Sequence, residues 1–198
     1  SPGVIYKNLI IVGSSVSEGN PAAKGNIRAF DAYTGDLIWS FNTIPEKGED
    51  GHESYNDPDA YRRLGGANAW SGLTLDEKRG ILYAPTGSVS YDFYGGDRIG
   101  DNLFANSIVA LNAETGNKIW HFQTVHHDVW DRDLPSPPIL FNYSMNDSIV
   151  PSLAQVTKSG YIYLLNRITG KPLYEIVERD VPSESNLEGE VLSKTQPI

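Results

Sequence analysis

Apolar residues come in short alternating runs rather than at helical spacing. "VIY" and "LIIVG" open the chain, "IRAF" and "LIWSF" follow, and turn residues bound most of the runs. Short runs of this kind predict strands joined by tight turns. The 19 glycines and 12 prolines point the same way, to an all-β chain.

The strands repeat. "NIRAFDAYTGDLIWSFNT" (26–43) aligns without gaps on "SIVALNAETGNKIWHFQT" (107–124), with 9 of the 18 positions identical. A weaker copy, "YIYLLNRITGKPLYEIV" (161–177), has Tyr174 where the others have Trp39 and Trp120. Each copy reads as strand, turn, strand. Glycine ends the turn because it tolerates positive φ, and the Asp or Asn before it favours an Asx turn.

A second strand pair precedes each copy: "VIY" and "LIIVG", then "GLTL" and "ILYAP", then "PPILF" and "VPSLAQVT". Every unit is therefore expected to hold four short antiparallel strands. Serial units of this kind predict a partial β-propeller. The blade units run approximately over 1–43, 70–124 and 136–178, and 179–198 begins the connection to a next blade. A plain β-sandwich is the alternative, but it does not explain three copies in one strand order. Three blades are too few to close a ring, so the chain reads as part of a larger propeller.

Strand order also sorts the loops. If the strands of a unit are A to D, the A–B and C–D turns lie at one end of the sheet. The B–C and D–A connections lie at the other. The long insertions 14–25, 44–69, 86–106 and 123–136 mostly fall at that second end. Function is expected there, on loops held by a rigid scaffold.

Bulk composition narrows the partners. The 198 residues carry a net charge of −9 and no local basic run, which argues against nucleic acid and anionic membrane surfaces. No cysteine is present, so disulfides and thiolate metal sites are excluded. No apolar run approaches the roughly 20 residues of a membrane span, and no signal peptide is visible.

The loop "TVHHDVWDRDLP" (124–135) is the densest in reactive side chains. Its adjacent His126 and His127, with Asp128, invite a zinc reading. Neighbouring side chains on an extended segment point to opposite sides, so one ion seldom takes both. "GGDRIGDN" (95–102) resembles a phosphate loop but lacks a strand–loop–helix context. Asn142 and Asn146 head chance-level glycosylation sequons.

"WHFQTVHHDVWDRDLPSPPIL", "GGDRIGDNLFANSIVALNAETG" and "QVTKSGYIYLLNRITGKP" resemble the PQQ (pyrroloquinoline quinone)-dependent dehydrogenases, most closely the membrane-bound glucose dehydrogenase type. The resemblance runs from end to end of the chain but covers about three of that family's eight blades, linked by tryptophan-docking repeats. It implies oxidation of a sugar or other alcohol in a periplasm-facing domain, with ubiquinone or a cytochrome c as electron acceptor. The cofactors implied are PQQ with Ca²⁺, or Mg²⁺ in its place.

The resemblance also implies roles. Asp131 matches the general base and Lys158 the residue that bonds the quinone oxygens. Trp70 matches the floor under the flat cofactor. Glu18 matches a metal-binding carboxylate, and Ser15 a serine near a PQQ carboxylate. Ser88 stands where the alcohol dehydrogenases place a metal-binding Asn, which leaves the second metal ligand open between Ser88, Ser90 and a backbone carbonyl. Strand order puts all six on the loop-rich end. Two other readings remain: a non-enzymatic propeller scaffold that shares the docking repeats, and a degenerate quinoprotein that binds PQQ without turnover. A scaffold has no reason to keep Asp131, Lys158, Trp70 and Glu18 together.

Overall fold

The computed structural model describes residues 2–145 and 147–198, so the sequon at Asn146 lies outside the described residues. The chain is a series of antiparallel sheets laid one against the next. β1 (Val4–Tyr6), β2 (Leu9–Val12), β3 (Ile27–Asp31) and β4 (Leu37–Phe41) form the first sheet in sequence order. β5 (Thr74–Asp76), β6 (Ile81–Pro85), β7 (Ser107–Asn112) and β8 (Lys118–Gln123) form the second.

The third sheet holds β9 (Ile139–Met145), β10 (Ser148–Val156) and β11 (Ile162–Asn166). The fourth strand expected there shrinks to a single bridge, Leu165 to Pro172, and one bond from Leu173 N–H to Leu164 O. Pro172 has no N–H to donate at the first ladder position, which weakens the strand at its start. β12 (Glu178–Asp180) and β13 (Thr195–Pro197) form a separate hairpin. Its connecting loop crosses to the long-loop end, where Tyr94 Oη donates to Glu188 O at 2.7 Å.

The repeat is kept in three dimensions. In each turn one side-chain oxygen accepts two backbone N–H groups: Asp31 from Tyr33 and Thr34, Asn112 from Glu114 and Thr115, Asn166 from Ile168 and Thr169. The irregularity between Ala29 and Phe30 in the first sheet recurs between Ala110 and Leu111 in the second.

Strand alternation then builds the core. The second sheet lies between the other two, so both faces of β6 and β7 are buried. Leu82, Ala84, Val109 and Leu111 pack on Ile11, Ile27 and Trp39. Ile81, Tyr83, Ile108 and Ala110 face the other way, onto Leu153 and Leu165.

Two tryptophans lock these seams. Trp39 Nε1 donates to Ala113 O of the next sheet at 3.3 Å, and Trp120 Nε1 donates to Arg167 O at 3.1 Å. Ala113 and Arg167 each follow the Asn of their turn, so the two bonds are equivalent. A Cβ on Gly116 would lie 2.6 Å from the Trp39 ring, and one on Gly170 would lie 2.7 Å from Trp120. Glycine is needed there for its positive φ and because an indole covers it.

Candidate functional site

The two seams hold the sheets so that their long loops gather at one end. Ser15 and Glu18 come from the β2–β3 loop, Trp70 from the β4–β5 loop, and Ser88 from the β6–β7 loop. Asp131 comes from the β8–β9 loop and Lys158 from the β10–β11 turn. All six line one cavity of about 220 Å³, together with Asn68, Ser90, Asp92 and Asp133. Five separate connections thus converge where strand order placed them.

Lys158 Nζ donates to Asp131 Oδ1 at 2.9 Å, with the two side chains 34% and 35% exposed. Burial lowers the pKa of Lys158, but the Asp131 hydrogen bond and the charges of Asp133, Asp131 and Asp128 outweigh it and hold the ammonium above its usual value. The lysine is therefore a fixed positive donor. Asp131 itself sits at φ 52°, a left-handed conformation unusual for a residue other than glycine. Backbone strain of this kind persists where the surroundings over-determine it, often at functional sites.

Those surroundings are built around Asp128. Its carboxylate accepts from Ser88 Oγ at 2.6 Å, Asn106 Nδ2 at 3.0 Å, Trp130 N–H at 3.0 Å and Arg132 N–H at 2.6 Å. The last two bonds straddle Asp131 and hold its backbone. Arg98, only 2% exposed, donates through Nη2 to Asp128 O at 2.5 Å and to Tyr91 O at 3.1 Å, which ties the β6–β7 loop to the β8–β9 loop. "GGDRIGDN" is therefore a brace for the cavity, with its arginine buried between loops.

Trp70 is 36% exposed and presents its ring to the cavity wall, while its Nε1 donates to Asp133 Oδ2 at 2.7 Å. Asp133 Oδ1 accepts the Ser88 N–H at 2.6 Å and Ser88 Oγ at 3.1 Å. The indole is thus fixed in orientation. Asp92, 4% exposed, has its pKa pushed up to about 7 by burial first, then by the charges of Asp133, Glu18 and Asp131, with Arg98 opposing.

Sequence reasoning missed Asp92, Asp133 and the bracing roles of Asp128 and Arg98. Asp92 left no readable trace. Asp133 left none either, because the positive φ of Asp131 breaks the alternation that would relate side chains two apart. The histidines go elsewhere. The ring nitrogens of His126 lie 2.6 Å from Gln123 Oε1 and 3.0 Å from Glu178 Oε1, and His127 Nδ1 lies 2.8 Å from Gly100 O.

The polar groups of the cavity are carboxylates, serine hydroxyls, the Asn68 amide and one lysine. Hard oxygen atoms of this kind suit Ca²⁺ or Mg²⁺ better than zinc. Among the described residues no three His, Cys, Asp or Glu side chains are arranged to hold a metal by themselves, so an ion here needs further oxygens. The residues fit such an ion as partial ligands.

Comparison with known proteins gives the family. The family described as "PQQ: Glucose/ethanol/alcohol dehydrogenase, beta-propeller domain" matches residues 1–198. The chain belongs to the PQQ-dependent dehydrogenase propeller family. Over its whole length it is similar to quinoprotein glucose dehydrogenase A of Acinetobacter calcoaceticus, 37% identical over 213 residues and covering 25% of that protein. It is also similar to the quinate/shikimate dehydrogenase (quinone) of Acinetobacter baylyi, 38% identical over 202 residues and covering 24% of it. Among solved structures, the quinohemoprotein alcohol dehydrogenase ADH-IIG of Pseudomonas putida superposes with a TM-score of 0.75 at 30% identity, over 88% of this chain and 28% of that one. The chain spans about a quarter of the length of the curated relatives it matches. Within this PQQ-dependent family, the docking turns and seams described above are blade-to-blade contacts. Among the described residues no helix is long and apolar enough to cross a membrane.

Proposed function

We propose that this chain forms one side of the cofactor and substrate site of a larger quinoprotein dehydrogenase that oxidises a sugar or other alcohol. The observation that carries the reading is the convergence of Ser15, Glu18, Trp70, Ser88, Asp131 and Lys158 from five connections on one cavity. The remaining blades of the ring would complete the site.

Oxidising an alcohol to a carbonyl removes a hydroxyl proton and a hydride. Asp131 takes the proton through its carboxylate, which Lys158 and the Asp128 brace hold in place. Trp70 supports the flat cofactor, its ring fixed by the bond to Asp133. Lys158 offers a positive donor where negative charge develops. Glu18 would hold the metal, with Ser88 as the further candidate ligand, and Ser15 would bind the cofactor. PQQ when bound supplies the hydride acceptor, and Ca²⁺ or Mg²⁺ supplies Lewis acidity beside it. The domain faces the periplasm and passes electrons to ubiquinone or a cytochrome c.

The test is reconstitution of the complete quinoprotein with PQQ and Ca²⁺, followed by dye-reduction assays on glucose, other sugars, primary alcohols and quinate. Substrate-dependent reduction that needs added PQQ is the expected result. Failure to bind PQQ, or reduction independent of it, overturns the reading.

A further inference from the structure

Four carboxylates line the cavity, and two of them are satisfied from within the chain. Asp133 is held by Trp70 and Ser88, and Asp131 by Lys158. Glu18 and Asp92 have no hydrogen bond or ion pair among the described residues. Glu18 is exposed, and water can solvate it. Asp92 is 4% exposed and opens on the cavity. A buried carboxylate is strongly disfavoured unless it is paired, coordinates a cation or takes up a proton.

Nothing nearby in the chain serves as that pair. Arg98 is the positive group whose charge reaches Asp92, but its hydrogen bonds go to Tyr91 O, Asp128 O and Asn102 Oδ1. Lys158 is engaged with Asp131. The hydroxyls that might replace the missing Asn ligand already donate their protons, and being neutral they do not balance the charge of a divalent ion. Ser88 Oγ donates to Asp128 at 2.6 Å and accepts from Asn106 at 3.1 Å. Ser90 Oγ donates to Ser17 O at 3.1 Å.

We propose that Asp92, paired with Glu18 across the cavity, is a cation ligand of this site and takes the part that Ser88 does not play. The inference rests on the quinoprotein reading above. Two carboxylates balance the charge of one divalent ion, and both are hard oxygen donors suited to Ca²⁺. Asp92 follows Ser88 by four positions on the same loop, and Arg98 anchors that loop through Tyr91 O. The ligand is therefore held on a braced segment and is not free to seek another partner.

Calorimetric titration of Ca²⁺ into the metal-free complete quinoprotein, with and without PQQ, tests this without measuring turnover. Asp92→Asn is expected to weaken Ca²⁺ binding at least ~10-fold, as is Glu18→Gln. Asp92→Asn should also melt at or above the wild-type temperature in EDTA, because it removes a buried unpaired charge. It should then lose most of the rise in melting temperature that Ca²⁺ gives the wild type. Ca²⁺ affinity within about twofold of wild type overturns the proposal. So does a variant that fails to fold or melts well below wild type in EDTA, since both make Asp92 a structural group. If Glu18→Gln loses Ca²⁺ while Asp92→Asn binds it normally, only the Asp92 assignment falls. If the wild type takes up neither Ca²⁺ nor PQQ, the quinoprotein reading falls with it.

Discussion

At the turn end of the sheets, three tight turns repeat the same hydrogen bonds at Asp31, Asn112 and Asn166, and indoles dock on the two later glycines. At the loop end, no two connections share a pattern. There, carboxylates crowd together, and most of the non-glycine residues with positive φ lie there, His127 and Asp131 among them. The three tight turns satisfy their polar groups locally, over two or three residues. The loop end satisfies them across tens of residues, as Ser88 does with Asp128 and Asp133, or leaves them open to a ligand. One end is built for packing and the other for chemistry, and substitutions at the two should report differently.

The largest contrast is expected from Asp131→Asn. In the complete quinoprotein it should keep PQQ bound yet lower turnover by about 10²–10⁴-fold, with little change in melting temperature. Cofactor absorbance and dye reduction measured on one sample separate the two effects. Surviving activity would remove Asp131 as the base.

At the other end, Arg167→Met should destabilise by about 3–5 kcal/mol and leave the chemistry of any folded fraction intact. Arg167 Nε donates to Asp76 Oδ2 at 2.8 Å, and the pair is 10% and 7% exposed, so removal takes from a buried carboxylate the more buried of its two arginine partners. Denaturant titration reads the loss. Burial raises the pKa of Asp76, but Arg167 and Arg79 outweigh it and hold the carboxyl below its ordinary value. That contribution is complete above the unfolded pKa of about 4 and is lost as pH falls through the lower folded value. An Asp76→Asn variant should accordingly show a shallower fall in stability as pH drops below about 4.

A smaller effect isolates the docking contact itself. Gly170→Ala meets both positive φ and the Trp120 ring, and should cost about 1–3 kcal/mol. Gly35→Ala has the same φ problem but open space around it, and should cost only about 1 kcal/mol. Equal losses at the two positions would show that the indole contributes nothing to the constraint.

The division between the two ends also explains what was legible. The turn end could be read because its determinants are local: Asp or Asn, then Thr-Gly, then an aromatic at fixed spacing. The strand order followed, and with it the shared face of Ser15, Glu18, Trp70, Ser88, Asp131 and Lys158. Where Pro172 enters, the local signal of the third copy overstated the strand, because the missing N–H weighs on a ladder that residue types alone do not reveal. Asp92, Arg98 and Asp128 stayed hidden for the opposite reason. Each matters through partners from another loop, and nothing in the neighbouring sequence announces those partners. The histidines of "HHDVWDRD" were conspicuous, yet they serve to hold the loop against Gln123, Glu178 and Gly100.

The tryptophan seam has one more consequence. It joins two unlike surfaces, an indole on one sheet and a glycine turn on the next, so it is a head-to-tail interface with no two-fold symmetry. Such an interface carries no internal stop. Each sheet that accepts an indole presents its own aromatic to a successor, and only the accumulated rotation brings the series back to its start. The number of blades is therefore a property of the angle at the seam, set where Trp39 and Trp120 rest on Gly116 and Gly170, while the chemistry of the loops is free to vary without changing the count.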